Sequence, residues 1–277
     1  INMRIGVDLG GTNLRLGLVE NGEVIKKISL PSPANKMSYE QSIEYLKDSV
    51  ECLIKPKVDG IGIGVPSIVD TKKGIVYDVV NISSWREVHL KKILEELLHI
   101  PVFVNNDCNC FVLGEHLYGP GRKYSHLAGV TLGTGLGMGL ILNGELYEGN
   151  NGGAGEIGCL PYLDQNLEYY CSANFFAGKD TTGKIASGQA GEGDEKALAL
   201  WAEFGMHVGN MILSVMYSYD PQAIVLGGGL AASFRLFEPA MRETMRNYAY
   251  KRALDRIYIY VSHLADAGIL GASSLTK

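Results

Sequence analysis

No stretch of this chain runs to the ~18–20 uninterrupted apolar residues that a helical bilayer crossing requires, so no membrane span is expected. Cysteine is scarce. Cys52, Cys108, Cys110, Cys159 and Cys171 are odd in number, form no even disulfide framework and suit a reducing cytoplasm. Cys108 and Cys110 are expected on a helix, where a spacing of two points them to different faces, as small buried hydrophobes more than as a metal pair. Charge excess is also small, at −5, which argues against a broad nucleic-acid or membrane surface while leaving room for a local basic patch. Arg4 and Asp8 interrupt the first apolar stretch, so no signal peptide is expected. What remains is an ordinary globular composition, 46% hydrophobic and 20% charged, on 277 residues that fit two lobes well.

The chain repeats itself. "MRIGVDLGGTNLRLGLVENGE" near the start returns as "LAGVTLGTGLGMGLILNGE". With a one-residue gap, Gly6, Leu9, Gly10, Gly17, Leu18 and Asn21-Gly22-Glu23 recur as Gly129, Leu132, Gly133, Gly139, Leu140 and Asn143-Gly144-Glu145. A strand, a glycine turn, a second strand and a matching Asn-Gly turn read as the remnant of a duplication, with two similar lobes.

In the first lobe, strands are expected at 4–9, 14–19 and 24–30, joined by Gly10-Gly11 and by Asn21-Gly22. A helix over 38–55, capped by Ser38, precedes a buried strand at 59–66. An amphipathic helix at 88–99, a strand at 101–107 and a helical crossover at 107–118 follow. The second lobe repeats the plan, with strands at 127–132, 136–142 and 145–148 and a glycine-rich segment at 149–158. A long helix over 194–219 places Leu198, Ala202, Gly205, Val208, Ile212 and Val215 on its inner face. A strand at 223–229, a helix near 235–249, a strand at 256–261 and a helix after Asp266 complete it. Strands followed by alternating helix and strand imply an α/β architecture of mixed sheets covered by helices. The lobes are drawn as 1–107 plus 265–277, and 108–264.

The two glycine turns are the first chemical feature. Sharp turns expose backbone N–H groups, and glycine allows close ligand approach, so such rows of amides bind phosphate without a lysine. Asp8-Leu9-Gly10-Gly11-Thr12 and Thr131-Leu132-Gly133-Thr134-Gly135 are built this way. Neither fits the Walker or the dinucleotide fingerprint, because a strand follows each turn. One such turn reads as structural; two related copies can hold a chain of phosphates. Gly227-Gly228-Gly229 is either a tight strand–helix connection or a platform for a flat base. Asp107, in Asn105-Asn106-Asp107, is either a helix cap or a carboxylate that accepts a proton from an attacking hydroxyl. Glu156 and Asn81, on separate loops, carry the donor and acceptor groups that sugar hydroxyls need.

In order and spacing, "DLGGT" at 8–12, "NND" at 105–107, "LGTGLGMG" at 132–139, "GEIG" at 155–158 and "VLGGG" at 225–229 resemble the ROK family of sugar kinases and repressors. That family lies within the actin-like and hexokinase-like superfamily, whose two-lobed, ribonuclease H-like fold has a cleft between the lobes. The resemblance implies that Asp107 is the catalytic base, that Asn106 and Glu156 hold the sugar, and that Asn81 lies at the sugar loop. It assigns Gly10, Gly11, Thr12, Gly133, Thr134 and Gly135 to the ATP phosphates, Gly227, Gly228 and Gly229 to adenosine, and Asp8 to hydrated Mg²⁺. It also implies a homodimer acting on a small sugar; the cysteine usage and acidic charge add the expectation of a cytoplasmic protein without nucleic acid or membrane partners.

One departure stands out. Family members carry a histidine after Gly-Glu-Ile/Leu-Gly that touches sugar and ligates zinc, then a Cys-x-Cys stretch and a glutamate. Cys159 occupies the histidine position here, "CLPYLDQNLEYYCSANFFAG" holds no Cys-x-Cys, and aligning Cys171 with the last zinc cysteine puts Ala173 at the glutamate. A tetrahedral site needs about four ligands, so no structural zinc is expected. Tyr162, Tyr169, Tyr170 and Phe175 either line a pocket for a bulky substituent or fill the core in place of the zinc knuckle. The expected reaction is ATP-dependent phosphorylation of a hexose (glucose, mannose or fructose) at its 6-hydroxyl. The alternatives are a kinase for N-acetylmannosamine or a β-glucoside, or a catalytically silent sugar-binding relative. A repressor is disfavoured by the acidic charge and by a first strand that begins at Arg4.

Overall fold

The structure is a computed structural model and describes residues 3–33, 36–79 and 82–276. The first half runs β1 (Met3–Leu9), β2 (Asn13–Glu20), β3 (Glu23–Pro31), α1 (Tyr39–Glu51) and β4 (Val58–Val65). Short strands β5 (Ile68–Asp70), β6 (Ile75–Tyr77) and β7 (Glu87–Val88) precede α2 (Leu90–Leu98), β8 (Val102–Asn106) and α3 (Asp107–Tyr118). Next come β9 (Leu127–Leu132), β10 (Leu136–Leu142), β11 (Glu145–Leu146), β12 (Pro161–Tyr162) and β13 (Gln165–Asn166). Helices α4 (Leu167–Tyr170), α5 (Ala173–Ala177), α6 (Gly183–Gly191) and α7 (Glu195–Tyr219) lead to β14 (Ala223–Gly227). The chain ends with α8 (Phe234–Met245), α9 (Lys251–Leu254), β15 (Tyr258–Val261) and α10 (Ala267–Ser273).

Two five-stranded sheets share one plan, β3-β2-β1-β4-β8 and β11-β10-β9-β14-β15. In the first, β1 runs antiparallel to β2 and parallel to β4, which is parallel to β8. In the second, β14 runs parallel to both β9 and β15. The duplicated Asn-Gly turns have matching backbones: φ is 52° and 81° at Asn21 and Gly22, and 56° and 80° at Asn143 and Gly144. Positive φ at both central positions is the hairpin geometry that Asn-Gly favours.

The chain divides into two compact units, residues 1–123, 139–154 and 263–277 in one, and 124–138 and 155–262 in the other. This division differs from the sequence-drawn lobes in assigning α3 and segment 139–154 to the first unit. Glycine explains the placement of α3. A Cβ on Gly271 would lie 1.7 Å from the Cys110 carbonyl oxygen and one on Gly114 would lie 2.1 Å from that of Ala267, so α3 and α10 pack backbone to backbone. Gly62 likewise lets α10 lie on β4, with 1.7 Å from its virtual Cβ to the Ala272 oxygen.

In the first unit, Ile5, Val7, Leu14, Leu16, Ile61, Ile63 and Val102 bury one sheet face against Leu46, Val50, Leu90 and Leu94 of α1 and α2. Ser38 caps α1 in a reciprocal capping box with Gln41, satisfying two otherwise orphaned donors. In the second unit α7 buries Gly205, Val208, Ile212 and Val215 as expected and departs from expectation in its first turns. Leu198 and Ala202 are exposed, and the buried stripe begins with Ala197, Trp201 and Phe204. Rings decide this phase: Trp201 and Phe204 lie 4.7 Å and 5.2 Å from Phe176, and Phe204 lies 5.4 Å from Phe237. By length and composition α7 could cross a bilayer, but much of it is buried as a core helix of this unit.

Candidate active site

In the first unit the chemistry collects at the carboxyl ends of parallel strands, the edge of an α/β sheet where ligands bind. Asp8 pairs with Gly64, and Gly64 with Asn105, in one row across β1, β4 and β8. Gly64 lets the first turn of α3 settle over that row, since its virtual Cβ lies 3.2 Å from Asp107 Cα and 3.1 Å from Cys110 Sγ. Asn106 is the N-cap: its Oδ1 accepts from Cys108 N at 2.8 Å and Asn109 N at 3.2 Å, and its Nδ2 donates to the Ser67 carbonyl at 3.2 Å. Asp107 is therefore the first helical residue and half-buried, with Oδ1 also accepting from Cys108 N at 2.9 Å.

Asp8 is half-buried, and burial raises its carboxyl above the usual carboxylate range. Arg15, its cross-strand partner on β2, opposes that rise from 3.7 Å, Asp266 adds to it and Lys27 lowers it. Lys27 is itself paired with Asp266. Cys110 is buried, and burial together with the Asp107, Asp8 and Glu148 carboxylates pushes its thiol well up. Asp8 and Asp107 thus act electrostatically on the same buried atom. In the first glycine turn, Gly10 N donates to the Asn13 carbonyl at 2.9 Å and the Thr12 carbonyl accepts from Ser32 N at 2.9 Å.

In the second unit, Gly133 N donates to the Gly135 carbonyl at 3.0 Å, and the Gly133 carbonyl accepts from Ala173 N at 2.8 Å. The buried Leu136 donates its N–H to Glu168 Oε2 at 3.1 Å. Glu168 also fills the space beside Gly135, whose virtual Cβ would meet Oε2 at 2.6 Å. Gly158 packs on the Leu136 carbonyl, 2.6 Å from its virtual Cβ, so the 155–159 loop lies on this turn. Gly228 has φ of +84° and a virtual Cβ only 2.3 Å from the Leu132 carbonyl, which places the triple glycine against the same turn. Thr134, Gly228 and Gly229 are exposed, whereas Gly227 is buried in β14.

Glu156 and Cys159 stand on that loop with exposed residues. Partial desolvation, then the Glu168 carboxylate, raise the Glu156 carboxyl; desolvation, Glu156 and Glu168 raise the Cys159 thiol. Glu168 was not among the residues singled out by sequence, which put the glutamate position at Ala173. Ala173 instead opens α5 and holds Gly133 through its N–H. A glutamate in the first turn of a four-residue helix looks like a generic dipole-compensating charge, so nothing local marks Glu168. Asn81 lies outside the described residues.

Among the described residues no group of three or more His, Cys, Asp and Glu could hold a metal ion. Cys171 is fully buried, and nearby aromatic rings gather on His207 of α7. Tyr162, Tyr170 and Phe175 lie 5.7, 4.6 and 5.6 Å from the His207 ring, and Tyr169 lies 5.1 Å from Tyr170. Tyr162 Oη is fixed by His207 Nδ1 at 3.1 Å and Asn210 Nδ2 at 3.0 Å. Phe175 is thus buried against His207, while the three tyrosines are half-buried and packed on one another and on the same ring. A surface cavity of about 460 Å³ lies elsewhere in the first unit, lined by Tyr118, Arg122, Lys123 and His263, and holds none of the candidate residues.

The ROK family model matches residues 4–277. A glucokinase of Thermotoga maritima is 28% identical over 99% of this chain and 96% of its own length. One of Halalkalibacterium halodurans is 30% identical over 99% and 94%. The crystal structure of a ROK family glucokinase from Streptomyces griseus in complex with glucose and AMPPNP matches with a TM-score of 0.83, at 27% identity over 99% of each chain. The expected actin-like, hexokinase-like α/β fold is therefore the fold observed. Motifs in family order, a matching fold and a match along nearly the whole sequence agree: this protein belongs to the ROK family.

Proposed function

We infer that this protein transfers the γ-phosphoryl group of ATP to the 6-hydroxyl of a hexose of the glucose, mannose or fructose type. The observation that carries the reading is Asp107, a half-buried carboxylate at a parallel strand end, directly after the Asn106 cap in the first turn of α3. Asp107 accepts the proton of the sugar hydroxyl as its oxygen attacks phosphorus. Phosphoryl transfer otherwise needs alignment and charge neutralisation. Gly10 and Gly133 close their turns with their own N–H groups, and the backbone amides of Gly11 and Thr12, and of Thr134 and Gly135, supply donors to the ATP phosphates. Gly228 and Gly229 offer bare backbone beside adenosine, with Gly227 setting the strand end beneath them.

Asn106, Glu156 and the residue at 81 hold sugar hydroxyls, with the Cys159 thiol at the same loop. Glu168, placed between that loop and the second turn, adds a second carboxylate acceptor. The donor set fits Mg²⁺ carried on nucleotide phosphates: Asp8 offers a hard oxygen ligand, reached through water, and among the described residues no group of three His, Cys, Asp or Glu side chains forms a closed cage. When bound, Mg²⁺ neutralises phosphate charge. The same resemblance implies a homodimer, which sedimentation of the purified protein tests.

A coupled ADP-release assay over hexoses, amino-sugars and glycosides tests the substrate. ADP release that depends on glucose, mannose or fructose supports the reading. Release only with N-acetylmannosamine or a β-glucoside transfers it to those acceptors, and no release with any sugar leaves a silent sugar-binding protein.

A further inference from the structure

We propose that Glu148 is a positioning residue that holds Asp107 in place through the Asn105 carboxamide; the proposal rests on Asp107 being the base. Glu148 lies just beyond β11, half-buried between the exposed Tyr147 and Gly149. Its Oε1 accepts from Asn105 Nδ2, and its Oε2 accepts from Thr71 Oγ1 at 3.1 Å. Among the described residues no cation pairs with it, so neutral donors alone hold this carboxylate. A partly desolvated charge without a counter-ion is costly unless its hydrogen bonds are firm.

Asn105 is the junction. Only 3% exposed, it accepts at Oδ1 from Asn106 N at 2.8 Å and from Asn109 Nδ2 at 2.9 Å. A carboxamide can be flipped, which exchanges its donor and acceptor ends. Flipped, Asn105 would turn its oxygen to the Glu148 carboxylate and its NH₂ to two other donors. Glu148, an acceptor only, therefore fixes which way Asn105 faces. Asn105 in turn fixes Asn106 and Asn109, which bracket Asp107 on either side in the first turn of α3. The loop bearing Glu148 is anchored as well: its carbonyl accepts from Ala154 N at 3.2 Å, and Gly152 packs on the Val69 carbonyl, 2.2 Å from its virtual Cβ.

Steady-state kinetics on E148A, E148Q, D107N and the D107N/E148A double variant test this, with melting temperatures recorded for each. E148A is expected to lower kcat ~10–10²-fold, since small misplacements of a reacting group cost that much. KM for sugar and ATP should stay within about twofold, because Glu148 acts on a group used in the transition state. E148Q keeps an acceptor for Asn105 and should recover most of kcat. In the D107N background E148A should have no further effect, because the two act as one unit. If E148A does not fold, E148D, which keeps the charge but withdraws it from Asn105, should show the same loss in kcat. Unchanged kcat in the folded variant, equal changes in kcat and KM, or a full extra loss on D107N would overturn the positioning role. Near-normal turnover of D107N itself would instead remove the base reading, whatever Glu148 does.

Discussion

The two halves of this protein share a sheet order and differ in where the sheets carry chemistry. In both, a first strand ends in a glycine turn, a second strand returns, and an Asn-Gly hairpin follows with nearly identical φ angles. The first turn is preceded by its own acid, Asp8, whereas the second has Thr131 at that place and takes its carboxylate from Glu168 on α4. The fifth strand of the first sheet ends in Asn105-Asn106-Asp107, while that of the second ends in Val261-Ser262-His263. The fourth strand shows the reverse: β4 runs into Pro66-Ser67 and β14 into three glycines. The duplicated frame and turns are kept, and the strand ends have diverged into separate tasks.

If the halves are unequal in this way, the second cannot replace the base of the first. Asp107→Asn should lower kcat by ~10²–10⁴-fold with sugar binding largely kept, as calorimetry on the variant would show. Near-normal turnover would erase the distinction. Gly228→Ala strikes the end of β14, where a Cβ would meet the Leu132 carbonyl at 2.3 Å and φ is positive. It should cost about 1–3 kcal/mol in urea unfolding and raise KM for ATP.

The two turn carboxylates sharpen the comparison because their removal should act on stability in opposite directions. Glu168→Ala orphans the N–H of the buried Leu136 and should cost about 1–3 kcal/mol. Asp8→Asn should raise the melting temperature at neutral pH while impairing turnover. Burial raises the folded-state pKa of Asp8, so its favourable contribution is complete only below the unfolded value and is lost as pH rises through the folded one. The gain in Asp8→Asn should accordingly fade on acidification. The smallest expected effect lies at Glu156, also raised, which takes up its proton above the ordinary carboxylate range and weakens as an acceptor. Sugar KM should rise on acidification, and Glu168→Gln should move that rise to lower pH by removing the neighbouring charge.

Local signals were readable in the sequence where one residue decides one geometry. Ser38 caps α1, Asn21-Gly22 and Asn143-Gly144 make positive-φ turns, and α3 spans 107–118 as its pattern predicts. On α7 periodicity held for Gly205, Val208, Ile212 and Val215 and missed only the first turns, because Leu198 and Trp201 both fit an apolar stripe and only the rings of Phe176 and Phe237 favour Trp201. Carboxylates brought in from distant segments were not legible. Glu168 reaches the Leu136 amide and Glu148 reaches Asn105 through tertiary packing that no local pattern encodes.

The central claim is transfer of phosphate to a sugar carbon-6 oxygen, and ³¹P NMR of the purified protein with Mg²⁺, ATP and glucose, mannose or fructose measures it directly. The account predicts equal amounts of ADP and a hexose 6-phosphate, with almost none when Asp107 is replaced by Asn. ATP left intact with every hexose, or split to free phosphate without a sugar ester, would contradict it.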